Sequence, residues 1–323
     1  QGAGGIMALQ SNVRCNGFWY EEQVTEELLL KMSLTKINFD AVSPFQRVQI
    51  VSTVPFGKTL VLDDHTQSSQ TDEHIYHESL VHPAILAHGS PKTVFIGGGG
   101  EGATAREVLR FKSVERVVMC DLDEIACKMC REHLPEWNKG VYEDKRFEIH
   151  YKDAMAFLQE WDGPKFDVII MDISDPIECG PGIGLYFKEF YEDIARTKMS
   201  DDGVFVTQSG ACGLINHTEV FTVINKTLAS SFSRVHGYMV EVPSFGCPWG
   251  YNLCYNSCKH PDVDRWEPEE VDRRLGEMLV DPNESHGYDG VSHRNLFSLP
   301  RWVRKSLDKE TRVMTKATPV FLT

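Results

Sequence analysis

The stretch KTVFIGGGGEGATAREVLRF, residues 92–111, constrains this chain more than any other. An apolar run ends in a cluster of glycines that opens straight into a helical pattern. That order sets a loop at the C-terminal edge of a strand, where glycines let backbone approach a ligand that a Cβ would hold off. The unit then repeats. ERVVMCDLD (115–123) reads as a second buried strand, followed by the helical DEIACKMCREHL. RFEIHYKD (146–153) is a third, followed by AMAFLQEW, and KFDVIIMDISDP (165–176) a fourth, followed by FKEFYEDIARTK. DGVFVTQSG (202–210) is the fifth. Strands alternating with helices predict an α/β fold, a parallel sheet covered on both faces.

The N-terminal part follows a different period. RVQIVSTV (47–54) alternates polar and apolar, PFGK makes a turn, and TLVLDD (59–64) returns, which predicts a hairpin. The expected organisation is a loose segment 1–16, a small antiparallel β domain over 17–72 and a catalytic domain over 73–323 that starts with a helix near 72–88. Residues 256–295 are polar and rich in turn formers, and SLPRWVRKSLDKETRV near the end is helical. No run approaches the ~18 consecutive apolar residues of a membrane span. With 33 basic against 47 acidic residues the formal charge is −14, a poor match to nucleic acid or an anionic membrane and a good one to a cationic ligand. The nine cysteines are scattered. Cys127 and Cys130 lie inside a helical pattern without a second pair at zinc spacing, so no structural zinc site is expected, and reduced thiols point to the cytoplasm. The segment QGAGGIMALQSN lacks the basic and apolar regions of a signal peptide.

The loop glycines Gly98, Gly100 and Gly102 are followed by Ala103 where a dinucleotide fingerprint needs glycine. Taken alone, such a loop is equally a structural tight turn. Its acidic neighbours decide for a ligand. Asp121 ends the second strand, where a carboxylate accepts both hydroxyls of a ribose. Asp153 and Ala154 end the third, in reach of an adenine amine. Glu101 sits inside the loop and would repel a pyrophosphate, so the expected ligand is an adenosine thioether or sulfonium. Asp172 and Asp175 end the fourth strand and lie together only if the chain bends there, as Pro176 favours. The Gly- and Pro-rich Ile177–Leu185 reads as a lid, and Gln208 shares the same edge on strand five. Phe245 and Trp249 offer aromatic faces to a cation, or pack.

The ordered blocks LVLDDHTQSSQTDEHIYHE, IGGGGEGATAREV, VVMCDLDE, KDAMAFL, DVIIMDISDP and FVTQSG resemble the polyamine aminopropyltransferases, the spermidine and spermine synthase family, over roughly residues 17–315. The resemblance implies a Rossmann-like sheet of class I methyltransferase type. It also implies transfer of an aminopropyl group from decarboxylated S-adenosylmethionine, a co-substrate, to a polyamine, with no permanently bound cofactor and no metal. By the same resemblance Gln46, His77, Gly98, Gly100, Glu101, Asp121, Asp153 and Ala154 bind the donor, His77 standing where the family usually has Gln. Trp19, Gln67, Tyr76, Asp175, Gln208, Phe245 and Trp249 surround the acceptor, and Asp172 occupies the catalytic position, aided by Tyr76 and Asp175. A homo-oligomer, dimer or tetramer, is implied as well. Asp64 for Gly, Glu101 for Asp, DISDP for DSSDP and Phe245 for Tyr resemble the plant-type thermospermine synthases, whose acceptor is spermidine. Spermine and spermidine synthase are the alternatives. A methyltransferase using intact S-adenosylmethionine is the distant rival, because Glu101 and Asp172 would repel the methionine carboxylate. A catalytically inactive polyamine-binding protein is a further rival. Tyr76, Asp172, Asp175 and Gln208 argue against it.

Overall fold

The computed structural model describes residues 18–322 apart from 26, 179, 258, 259 and 261. The segment 1–16 and Cys179 of the expected lid therefore lie outside the described residues. Five strands form an N-terminal antiparallel sheet in sequence order: β1 (Trp19–Thr25), β2 (Leu28–Val42), β3 (Arg47–Thr53), β4 (Gly57–Leu62) and β5 (His65–Ser69). The expected hairpin is β3–β4, with Gly57 at φ 72° in its turn. Between β4 and β5, Asp63 and Asp64 both take left-handed φ values, 45° and 65°, a conformation that Asp tolerates better than most residues.

The second sheet has the order β11-β12-β10-β9-β6-β7-β8. Its strands are β6 (Thr93–Gly98), β7 (Arg116–Asp121), β8 (Phe147–Tyr151), β9 (Phe166–Asp172), β10 (Met199–Ala211), β11 (Arg234–Val242) and β12 (Cys247–Tyr255). From β8 to β10 all pairings are parallel, and the interiors of β6, β7 and β9 are buried on both faces, as continuous apolar runs require. The sheet is not wholly parallel. β12 runs antiparallel to both β10 and β11, a hairpin absent from the sequence expectation. Pro248 and Gly250 sit inside β12 and hide it, although Gly250 is needed there. A Cβ on it would lie 2.3 Å from the Phe221 ring. Helices α2 (Ala103–Leu109), α3 (Glu124–His133) and α4 (Ala154–Glu160) follow β6, β7 and β8. The turn-rich region 256–295 holds two helices, Pro268–Met278 and Gly290–Phe297.

Helix α1 (Glu73–His88) joins the two sheets and packs against α2, β9 and β10. It is buried nearly all round, His77, Glu78 and His82 included. Pro83 inside it has no N–H for the carbonyl of Ser79, and the Tyr238 hydroxyl donates to that carbonyl instead at 2.9 Å. Among the described residues no helix is long and apolar enough to cross a membrane.

Candidate active site

The glycine loop is shaped by what stands behind it. Gly98, at φ 78°, lies beside Asp172, whose carbonyl oxygen would be 2.1 Å from an added Cβ and which accepts from the Gly99 N–H at 2.9 Å. Gly100 admits the Asp121 carboxylate, 2.8 Å from where a Cβ would be. Loop, β7 and β9 thus close on one cavity. Its walls include Gln46, Gln67, Tyr76, Gly98, Gly100, Glu101, Asp121, Asp153, Ala154 and Asp172. A second cavity beside it is walled by Glu22, His65, Gln67, Tyr76, Asp175, Gln208, Phe245 and Trp249. Gln67, Tyr76, Ile173 and Ser174 border both. Asp172 and Asp175 therefore do not share a pocket. β9 ends at Asp172, and the irregular 173–175 carries the second carboxylate into the neighbouring cavity.

Two expected residues are elsewhere. Trp19 is 48% exposed on β1, with the Lys31 ammonium over its ring, and borders neither cavity. His77 is wholly buried behind Glu101 and does not border the cavity beside the glycine loop.

Asp172 is the focus of the arrangement. Its Oδ1 accepts from the Tyr76 hydroxyl at 2.7 Å and its Oδ2 from the Thr104 hydroxyl at 2.5 Å. Burial and the nearby Glu101 raise its pKa, against the positive influence of His77 and these hydroxyls. Burial pushes Asp121 up to about 6, opposed by the Asp123 N–H that donates to it at 2.8 Å. Asp175 is likewise pushed up to about 6 by burial, against the Gln208 amide donating at 3.1 Å. Each of these carboxyls gains by meeting a cation or a hydroxyl. Asp153 is exposed and caps α4 through Oδ1, accepting from the Ala156 N–H at 2.7 Å.

Asp123 and Glu22 border the site but escape sequence reasoning, whereas Gln208 is an expected residue. Asp123 is buried, caps α3 with Oδ1, and with Oδ2 accepts from the Ser43 hydroxyl (2.6 Å) and the Gln46 amide (3.1 Å). An Asp directly before a helix start is the signal that could have marked it. Gln208 donates to the Ile173 carbonyl at 2.6 Å and to the Tyr186 hydroxyl at 2.6 Å, and accepts from the Trp249 indole N–H at 3.1 Å. It holds the chain between Asp172 and Asp175 in place. Glu22 accepts from the Thr66 hydroxyl at 2.6 Å and stands 3.7 Å from His65. The resemblance brings β1 to this cavity through Trp19, whereas the β1 residue that borders it is Glu22.

Atoms of His77, Glu101 and Asp172 lie within 4.8 Å of one another, a spacing that a metal would use. Both nitrogens of His77 already face oxygen acceptors, and both Asp172 oxygens already accept hydroxyls. The set offers no free imidazole lone pair, so it does not fit a metal ion.

The segment 177–185 borders both cavities, through Ile177 on one side and Pro181, Gly182 and Leu185 on the other. Tyr186 anchors its far end, and the Leu322 N–H donates to the Pro176 carbonyl at its near end at 2.8 Å. Limited proteolysis within 177–185 should slow when an adenosine thioether and a polyamine are added together. Protection independent of ligand would count against a lid.

Fold and site define a transferase of the Rossmann-like class that takes an adenosyl sulfonium over the sheet edge and a cationic acceptor beside it. The spermine/spermidine synthase domain matches residues 73–265, and the spermidine synthase tetramerisation domain matches 18–70. The chain is 39% identical over 304 residues to thermospermine synthase ACAULIS5 of Arabidopsis thaliana, covering 94% of this chain and 87% of that protein. It is 42% identical over 311 residues to a polyamine aminopropyltransferase of Synechococcus sp., covering 94% and 96%. A crystal structure of spermidine synthase in complex with the transition-state analogue AdoDATO superimposes with a TM-score of 0.81 at 28% identity, covering 91% of this chain and 96% of that one. The chain belongs to the spermine/spermidine synthase family and is a polyamine aminopropyltransferase, with decarboxylated S-adenosylmethionine as aminopropyl donor.

Methylthioadenosine, the donor's nucleoside remnant, gives a direct test of the donor cavity. Asp121→Ala should weaken its binding by roughly 1.5–3 kcal/mol, the scale of a hydrogen bond to a charged group. In the unaltered protein the affinity should fall as pH drops below about 6, because a protonated Asp121 accepts ribose hydroxyls poorly. Calorimetric titration reads both, and an unchanged dissociation constant removes Asp121 from the site.

Proposed function

We propose that the protein transfers the aminopropyl group to spermidine and forms thermospermine, releasing methylthioadenosine. The observation that carries this reading is the spread of acidic groups along the acceptor cavity, Asp175 following β9 and Glu22 on β1, walls belonging to different sheets. A triamine keeps two ammonium groups after its reacting nitrogen is deprotonated, and one carboxylate near the junction with a second farther along suits it. The 39% identity to the Arabidopsis thermospermine synthase supports the same acceptor.

In this reading Asp172 takes the proton of the attacking ammonium, with the Tyr76 hydroxyl and Asp175 orienting the nitrogen. The amine lone pair forms the new C–N bond as the C–S bond breaks, and its electrons return to sulfur. The leaving group is a sulfonium that departs neutral, so it needs no acid. Gln46, Glu101, Asp121, Asp153 and Ala154 hold the donor, and Gln67, Gln208, Phe245 and Trp249 the acceptor. Residues 17–72 form the N-terminal β domain, which also brings Glu22, Gln46 and Gln67 to the site, and 73–323 form the catalytic domain. The match of 18–70 to a tetramerisation domain and the exposed Leu28, Leu29 and Ile37 on β2 support a homo-oligomer built through the N-terminal sheet, a tetramer in this reading. Scattered, mostly buried free thiols support a cytoplasmic location.

The test is turnover with putrescine and with spermidine separately, using decarboxylated S-adenosylmethionine, and chromatography that resolves thermospermine from spermine. Thermospermine as the main product is expected. Spermine, or turnover of putrescine alone, selects the alternative synthases.

A further inference from the structure

The strongest unexplained feature of the molecule is a buried histidine between two carboxylates. His77 is fully buried on α1. Its Nδ1 lies 2.7 Å from the Glu73 carbonyl oxygen and 2.8 Å from Glu73 Oε2, and its Nε2 lies 3.2 Å from Glu101 Oε1. All three partners are acceptors. A neutral imidazole has one N–H and would leave its second nitrogen facing an oxygen lone pair, so the geometry calls for a ring that donates from both nitrogens.

We propose that His77 is a positioning residue of the transfer reaction, a doubly donating imidazolium that fixes Glu101 against the donor cavity and offsets the negative charge around Asp172. The assignment rests on the aminopropyl-transfer reading of the site. Its surroundings hold the ring on every side. Glu73 and Tyr76 face it from its own helix, Tyr76 edge-on at 5.0 Å. Glu101 faces it from the glycine loop, and Asp172 lies at the end of β9, with atoms of His77, Glu101 and Asp172 all within 4.8 Å of one another. Arg106 on α2 grips Glu73 with two hydrogen bonds of 2.9 Å, so Glu73 is itself fixed. Burial would lower the ring's pKa, but Glu101 and Glu73 raise it to about 10. Glu73, resisting burial through His77 and Arg106, is held near 2.

The physical consequence is specific. Glu101 and Asp172 stand close together as like charges, which makes Asp172 harder to ionise. A fixed cation behind Glu101 opposes that effect. It keeps Asp172 available as a base at lower pH, while never entering the cavity to compete with the cationic donor.

The experiment has two arms, both on the full chain. In His77→Gln, the side chain can still donate to Glu101 but carries no charge. The acid limb of the kcat profile should move to higher pH by about one unit or more, the scale for losing an adjacent opposite charge. Activity should therefore fall most at low pH and recover as pH rises. A kcat loss of the same factor at every pH, or an unshifted profile, overturns the proposal. The second arm needs no variant and no turnover. Nitrogen NMR of the histidine rings in the unaltered protein should show one ring protonated at both nitrogens from pH 6 through about 9, as a pair of flanking carboxylates demands. That resonance should be assigned to His77 by its loss in His77→Gln or, if that variant does not fold, in His77→Asn. A neutral tautomer at His77 overturns the proposal. If the unaltered protein transfers no aminopropyl group, the functional reading fails by that assay, and the ring's charge is still decided by the spectrum.

Discussion

Asp172→Asn should lower kcat at saturating substrates by ~10²–10⁴-fold, the range for loss of a general base. The substitution keeps the shape and most of the contacts. An amide oxygen can still accept from the Tyr76 hydroxyl, and the amide nitrogen can donate to the Thr104 oxygen, because both groups already touch the carboxylate. The Gly99 N–H bonds the backbone carbonyl of residue 172 and is unaffected. What is lost is the ability to take a proton. Because burial and Glu101 raise the pKa of Asp172, kcat of the unaltered enzyme should fall as pH drops through that raised value. The asparagine variant should lack this limb. Steady-state kinetics across pH checks it, and a kcat within about threefold of the original, far short of the loss a missing base produces, assigns the base elsewhere.

Glu107→Gln should cost stability rather than chemistry, by roughly 3–5 kcal/mol, the usual penalty for breaking a buried charge cluster on one side. Glu107 lies within α2, 1% exposed at its side chain, between His82 (2.9 Å), Arg106 (3.0 Å) and Arg110 (2.6 Å). Burial alone would raise its pKa, yet His82 and the two guanidinium groups hold it well below the usual carboxylate range. The neutral amide leaves the Arg106 and Arg110 guanidinium groups undercompensated. A fall in Tm on the order of 10 °C follows from the size of the chain. Glu115→Gln is the control. Its pair with Lys92 is more than half exposed on both sides, so its loss should stay within about 0.5 kcal/mol. Thermal unfolding of the two variants side by side checks the contrast.

The parts of this molecule legible in the sequence are those whose signal is local. The glycine loop, the apolar β6, β7 and β9, and the acidic residues at or just after the ends of β7, β8 and β9 all lie within short windows of chain, and the loop and the acidic residues sit at the sheet edge where they can meet a ligand. The harder parts depend on contacts between distant segments. Glu22 comes to the acceptor cavity only because β1 pairs with β2 and approaches Thr66 across the sheet. The separate cavities of Asp172 and Asp175 depend on Gln208 and Tyr186 pinning the chain between them, and those partners lie in other elements. The β11–β12 hairpin was hidden because Pro and Gly are strand breakers by local propensity, while Gly250 is required by the Phe221 ring above it. His77 and Trp19 were expected in the pockets through resemblance. A family correspondence gives a residue its neighbourhood, whereas the direction of its side chain is set by partners such as Glu73 and Lys31.

Asp123 gives the two sheets a common fate. One of its oxygens starts α3 in the catalytic sheet and the other holds Ser43 and Gln46 of the loop between β2 and β3, while Gln46 and Asp123 both border the donor cavity. The N-terminal sheet is therefore not a detachable handle. A hybrid enzyme that takes residues 18–70 from a relative and the remainder from this chain inherits a working donor site only if the donated segment also presents a hydroxyl and an amide at the positions of Ser43 and Gln46. Modular exchange in this architecture is constrained at this carboxylate, which has a partner on each side of the seam.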